Sequence, residues 1–103
     1  NIAATISGAR AYGADVSDKA QVETAFADVA RDFGGVDILV NNAGVESVYT
    51  VERMPEAEWD RVLAVNLKGA MLCTQAAIAP MRARCGGAVV NVASVAGKRI
   101  SFS

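Results

Sequence analysis

The chain has 103 residues. That suffices for one small domain but is short for a complete nucleotide-binding α/β enzyme, whose βα units need ~30 residues or more each. Hydrophobic residues make up 52%, charged residues 20% and aromatics 6%, an ordinary globular balance enriched in Ala and Val. Ten basic and eleven acidic residues are interspersed for a net charge of −1, so there is neither a basic face for nucleic acid nor an acidic tail. The chain has no histidine, which excludes a His-based catalytic triad; Cys73 and Cys85 therefore have no partner for a structural zinc site. Both cysteines read as small helix residues in a reducing cytoplasm. No apolar run approaches the ~20 residues of a membrane span. Asn1 to Arg10 lacks the charged start and apolar core of a signal peptide.

Along the chain, Ala11 to Val16 reads as a short strand ending at Asp15. Ser17 and Asp18 supply N-cap chemistry, and Asp18 with Gln21 fits a capping box. Val22, Ala25, Phe26, Val29 and Phe33 then recur at helical spacing, and Gly34-Gly35 ends that helix. Val36 to Val40 is an apolar run broken by one Asp and followed by Asn41-Asn42-Ala43-Gly44, the pattern of a buried central strand. After a polar loop, Pro55 suits the first position of a helix, with Glu56 and Glu58 in the first turn. That helix extends towards Arg84, with Trp59, Val62, Leu63, Asn66, Ala70, Cys73, Ala77 and Met81 on one stripe and Pro80 expected to kink or end it. Gly86-Gly87 introduces a second buried strand, Ala88 to Ala93, with Ser94 where it stops. The alternation of strand and helix predicts an α/β fold with parallel βαβ units in a single domain over residues 1–103.

In an open parallel sheet, ligands bind outside the carboxyl ends of the strands. Three candidates fall there. Asp15 can accept a hydrogen bond from a ligand amine, or serve as a turn or cap residue. Asn41 to Gly44 can hold a ribose, or form an ordinary turn. Ser94 is a hydroxyl at a strand end, or a cap. Asn66 is a fourth candidate, a polar amide placed by pattern on the buried stripe of the long helix. There it must find partners, whether structural or functional.

Taken together, VDILVNNAG (Val36 to Gly44), WDRVLAVNLKG (Trp59 to Gly69), GGAVVNVASVAG (Gly86 to Gly97) and ADVSD (Ala14 to Asp18) strongly resemble the short-chain dehydrogenase/reductase family, in its order and at its intervals. The resemblance covers Tyr12 to Gly97. It implies a partial Rossmann-like, doubly wound parallel sheet in a three-layer α/β/α arrangement. It also implies an oxidoreductase that moves hydride between NAD or NADP and a carbonyl or alcohol. By the same resemblance, Asp15 contacts the cofactor's adenine amine with Val16 beside it. Asn42, Ala43 and Gly44 form the loop beside the adenosine ribose, and Asn41 braces the sheet. Asn66 resembles the catalytic Asn, whose main chain disturbs its helix and holds a water in a proton relay. Ser94 resembles the catalytic Ser that hydrogen-bonds the substrate oxygen.

The family's Gly-rich loop is expected before this segment and its Tyr-x-x-x-Lys just beyond Ser103, so the chain reads as cut at both ends and inactive alone. Tyr12 and Tyr49 are followed at that spacing by Val16 and Arg53, outside the family's context. The resemblance further implies a homo-oligomer, dimer or tetramer, in the complete protein, a small-molecule partner, and neither nucleic acid nor membrane. A non-catalytic dinucleotide-binding or interaction module of the same fold is the alternative. A flavodoxin-like receiver would carry acidic residues where Asn41-Asn42 stand.

Overall fold

In the computed structural model, residues 7–93 are described. Helix α1 spans Lys19–Phe33, strand β1 Ile38–Asn41, helix α2 Glu56–Leu63, helix α3 Gly69–Ala83 and strand β2 Ala88–Asn91. A 3-10 turn, Val51–Arg53, precedes α2, and a π-helical turn, Ala64–Lys68, joins α2 to α3 without a break. Strands β1 and β2 are parallel neighbours, pairing Ile38 with Ala88 through Asn41 with Asn91. Parallel neighbours require a crossover, and the long helix supplies it. The result is a piece of a Rossmann-like α/β fold in which, among the described residues, helices cover one face of the strand pair.

Local chemistry explains the first helix. Asp18 Oδ1 accepts from the backbone N–H groups of Ala20 and Gln21, two donors that have no partner within a helix end. The capping box differs from its expected form. Gln21 Oε1 accepts from Asp15 N–H rather than from Asp18 N–H, which itself reaches the Asp15 carbonyl. The cap therefore extends over the whole Asp15–Asp18 turn. Gly34 ends α1 with φ +83°, a left-handed conformation that a Cβ would disfavour.

The expected strand over Ala11 to Val16 does not form a ladder among the described residues, because β1 and β2 pair only with each other. A strand is defined by its partner, and sequence propensity cannot supply one. The two observed strands are also less buried than their apolar runs suggest. Leu39 packs on the core, while Ile38 and Val40 are 65% and 54% exposed on the opposite face.

Val22, Leu72 and Cys73 form the centre of the core, with Val16, Phe26, Leu39 and Ala76 packed around it. Ala77 is also fully buried. Thus α1 and β1 both rest on α3. Cys73 is free, and burial raises its thiol pKa. Cys85 departs from the helical expectation: it lies just past α3, exposed and at φ +62°.

The long helix departs from its expected stripe. Gly69, Leu72, Cys73 and Ala77 are buried, whereas Trp59 is 56% exposed and Asn66, expected in the interior, is exposed too. The π turn is the physical reason. An i→i+5 turn holds one more residue than an α turn, so it rotates the following face by about 100°. An uninterrupted stripe drawn through Trp59 and Ala77 mixes two phases. Pro55 is the N-cap rather than the first helical residue, and Pro80 sits inside α3 without ending it. By length and hydropathy alone, Glu56–Ala83 is long and apolar enough to cross a membrane, a property hidden from a search for uninterrupted apolar runs. One of its faces packs on α1 and β1 instead.

Candidate functional site

The carboxyl ends of β1 and β2 open onto a cleft of about 180 Å³ lined by Val16, Asn41, Asn42, Ala43, Asn66, Gly69, Asn91 and Val92, among others. Of the residues singled out in the sequence, the fold therefore brings Val16, Asn42, Ala43 and Asn66 around one hollow. Gly44 lies at its edge, where an added Cβ would stand 3.5 Å from Asn66 Oδ1, an ordinary contact. Asp15 lies next to Val16 on an exposed turn. Ser94 lies outside the described residues.

Asn66 has an unusual bonding pattern for a helical side chain. Its Nδ2 donates to the Val45 carbonyl at 2.9 Å, and its Oδ1 accepts from the Val45 N–H at 2.8 Å. The amide thus satisfies both polar groups of one residue, as a neighbouring strand would. Each bond is worth about 0.5–1.5 kcal/mol net. Together they tie the loop after β1 to the long helix at the point where that helix widens into its π turn. Arg61, anchored on Glu58, adds a second tie by donating to the Glu46 carbonyl at 3.2 Å. Sequence reasoning missed Arg61, since an Arg three residues after a Glu on a helix reads as a surface pair.

Asp15 is held by Ser17, whose hydroxyl and N–H both donate to Oδ1 at 2.6 and 2.9 Å. These bonds, the hydroxyl's first, keep its carboxyl below the usual carboxylate range. Asp15 is therefore ionised at neutral pH, and a carboxylate retains further lone pairs to accept from an amine. Gly69 brings α3 so close to Val16 that a Cβ there would lie 2.7 Å from Val16 Cγ2. The small residue at the start of α3 sets how near the Asp15–Val16 turn approaches the cleft.

Asn41 occupies the end of β1 and is half-buried. Its Nδ2 donates to Thr74 Oγ1 at 3.2 Å and to Asn91 Oδ1 at 2.9 Å. The amide bridges α3, β1 and β2. Neither Thr74 nor Asn91 stood out in the sequence. Asn91 carried a signal, because Asn is a poor strand former inside AVVNVA.

Among the described residues, no group of His, Cys, Asp and Glu is arranged to hold a metal ion. The donor set suits an uncharged or weakly polar ligand edge: one exposed carboxylate, a small Ala43-Gly44 turn and several amides. Those features fit a flat nucleoside, with Asp15 offering an acceptor and Val16 and Ala43 apolar surface.

A family model described as short chain dehydrogenase matches residues 1–103. The D-beta-hydroxybutyrate dehydrogenase of Cupriavidus necator is 42% identical over 86 residues, covering 84% of this chain and 33% of that protein. The D-threitol dehydrogenase of Mycolicibacterium smegmatis is 45% identical over 87 residues, covering 84% of this chain and 34% of that protein. A crystal structure of a short-chain dehydrogenase/reductase from Burkholderia xenovorans superposes with a TM-score of 0.82 at 40% identity, over 87% of this chain and 34% of that one. The chain spans about a third of the length of the curated relatives it matches.

Proposed function

The chain belongs to the short-chain dehydrogenase family, and on that premise we propose that it forms the central part of an oxidoreductase moving hydride between NAD or NADP and a carbonyl or alcohol. The observation that carries the reading is the cleft at the carboxyl ends of the strands, where Asn42, Ala43, Val16 and Asn66 meet. Such strand ends are where open α/β sheets take their ligands.

In this reading Asp15 accepts from the adenine amine, and Val16 supplies the apolar surface next to it. Asn42, Ala43 and Gly44 flank the adenosine ribose. Asn66 fixes that loop through Val45, and its widened helix turn leaves room for a water at its main chain. Ser94 hydrogen-bonds the substrate oxygen and stabilises the charge that develops there. The bound nicotinamide supplies hydride transfer; the protein supplies position and polarity.

The relatives' names bear on the substrate class. They include a D-beta-hydroxybutyrate dehydrogenase, a D-threitol dehydrogenase and, from Staphylococcus aureus, a 3-oxoacyl-(acyl-carrier-protein) reductase. What those substrates share is an alcohol or a carbonyl, so a secondary alcohol or its ketone is the class proposed here. The apolar outer residues Leu63, Leu67, Met71 and Ile78 of the long helix suit a helix-to-helix contact between copies in the complete protein. The free Cys73 and Cys85 suit a reducing compartment such as the cytoplasm.

The test uses the complete protein with NAD and NADP in turn, and a panel of hydroxy acids, polyols and 3-hydroxyacyl thioesters. Growth of reduced-nicotinamide absorbance with at least one of them is the expected result. Nicotinamide binding with no turnover on any of them would favour the non-catalytic module of the same fold. Neither binding nor turnover would overturn both readings.

A further inference from the structure

We propose that Asn91 and Thr74 are positioning residues that lock the carboxyl ends of β1 and β2 together, and with them the two segments that flank the cleft. The inference rests on the oxidoreductase reading above and deepens it.

Asn41 and Asn91 face each other in the parallel register. Two polar amides at matched positions are not explained by strand propensity, which disfavours Asn. Burial does not explain them either, because Asn41 is half-buried and Asn91 exposed. Their hydrogen bonding does. Thr74 Oγ1 donates its one proton to the Ala70 carbonyl at 2.7 Å, so towards Asn41 it can only accept. That polarity fixes the orientation of the Asn41 amide, because the opposite one would set oxygen against oxygen. With Nδ2 so directed, Asn41 also donates to Asn91 Oδ1 at 2.9 Å. A hydrogen-bond relay therefore centres on the Asn41 amide, which donates on one side to Thr74, and through it to the α3 backbone, and on the other side to Asn91, so that three elements are joined.

Its location gives it a role. Asn41 immediately precedes Asn42, the first residue of the loop assigned to the ribose. Asn91 precedes Ser94 by three positions. The last backbone bond of the ladder, Val92 N–H to the Asn41 carbonyl at 3.0 Å, lies directly beyond the side-chain pair. Without the relay, only the backbone ladder, with this bond at its end, holds the strand ends in step. A small displacement of a reacting group is costly to rate while leaving cofactor contacts in place.

The experiment compares the complete protein with its Asn91→Leu, Thr74→Val and Thr74→Ser variants. Asn91→Leu lowers kcat by about tenfold and changes the KM for the nicotinamide by less than about twofold, in line with the loss of one or two hydrogen bonds in a positioning role. Thr74→Val lowers kcat by about threefold because the Asn41–Asn91 bond remains, and Thr74→Ser restores it. Backbone hydrogen exchange at Val92 accelerates in Asn91→Leu and Thr74→Val and returns to the original rate in Thr74→Ser. If Asn91→Leu does not fold, the Thr74 pair carries the same test. Unchanged kcat, or unchanged exchange at Val92, overturns the inference. Absence of nicotinamide-linked turnover in the unsubstituted protein overturns the functional reading instead, and the exchange rates then decide by themselves whether the relay holds the strand ends.

Discussion

The two ends of the strand pair are held by different means. At the amino ends, the chain is closed by steric fit. A Cβ at Gly87 would lie 2.8 Å from the Asp37 carbonyl oxygen, and one at Gly35 would lie 2.9 Å from the Pro80 carbonyl oxygen. Arg84 crosses this end, donating to the Phe33 carbonyl at the close of α1 and standing 3.8 Å from Asp37. At the carboxyl ends, close packing gives way to amides: Asn66 on Val45, and Asn41 between Thr74 and Asn91. The first arrangement brings glycines against backbone carbonyls beside a hollow lined by Phe33, Gly35, Asp37 and Arg84, and the second sets side-chain amides around a cleft. On the function proposed above, the carboxyl end is the one that takes the ligand, and the amino end serves the fold. A substitution at one end should therefore register in a different measurement from a substitution at the other.

The sharpest contrast is expected from Ser94→Ala in the complete protein. Loss of a donor to the substrate oxygen should lower turnover by about 100- to 1000-fold. Thermal stability and nicotinamide binding should stay nearly unchanged. Steady-state kinetics beside a binding titration reads this out, and unaltered turnover removes Ser94 from the site.

Gly87→Ala should do the reverse. The new methyl meets the Asp37 carbonyl and Met81, so the variant should lose about 1–3 kcal/mol of stability. Once folded, it should keep its KM for the nicotinamide. A denaturation midpoint equal to that of the parent would mean that the amino end is looser than its contacts imply.

Asn66→Leu probes the carboxyl end more gently. It removes both partners of Val45, which is half-buried and can recover part of the loss from water. A cost of about 1 kcal/mol in stability is expected. The fall in kcat should exceed what that cost explains. If the two effects match, Asn66 is only a structural amide.

The smallest effect is expected at a side-chain pair on the last turn of α1. Tyr12 donates to Asp32 Oδ2 at 2.6 Å, while Arg31 and Arg10 also approach that carboxylate. The Tyr12 hydrogen bond, and after it that of Arg31, holds the Asp32 pKa below its ordinary value. Its contribution to stability is thus present above the ordinary carboxylate range and is lost as pH falls through the lowered value. The Tyr12 phenol is raised, chiefly by the same bond. Its contribution is present below the ordinary phenol range and is lost as pH rises through the raised value. Tyr12→Phe should flatten both limbs of a plot of Tm against pH. Superimposable plots for the two proteins would show the pair to be energetically silent.

What the sequence disclosed was mostly local. Asp18 before an apolar period, Gly34 at its close and Asn41-Asn42-Ala43-Gly44 after an apolar run all act within a few residues of themselves, and the elements appear where those signals stand. The parallel pairing also followed from alternation of strand and helix. What stayed hidden depends on distant partners. Local propensity within Ala64–Lys68 does not announce a π turn, since the residue that Asn66 grips lies on another segment; only the family resemblance at Asn66 pointed to a disturbed helix there. The exposure of Ile38 and Val40 depends on what covers a sheet face, and apolar spelling alone cannot report it. Thr74 and Asn91 acquire meaning only when β1 and β2 lie side by side. Arg84 reads as a cation at the end of a helix, yet its contact is with the close of a different helix.

The π turn also constrains how this chain can vary. Ala64–Lys68 acts as a one-residue insertion in an otherwise regular rod. Deleting a single position there would restore α geometry and turn Gly69, Leu72, Cys73 and Ala77 by about 100° away from α1 and β1. Point replacements in this stretch, Asn66 apart, can be absorbed one at a time, but a change in its length cannot. Homologous chains should accordingly tolerate spelling changes across Ala64–Lys68 other than at Asn66, while keeping the count from Pro55 to Gly69 fixed.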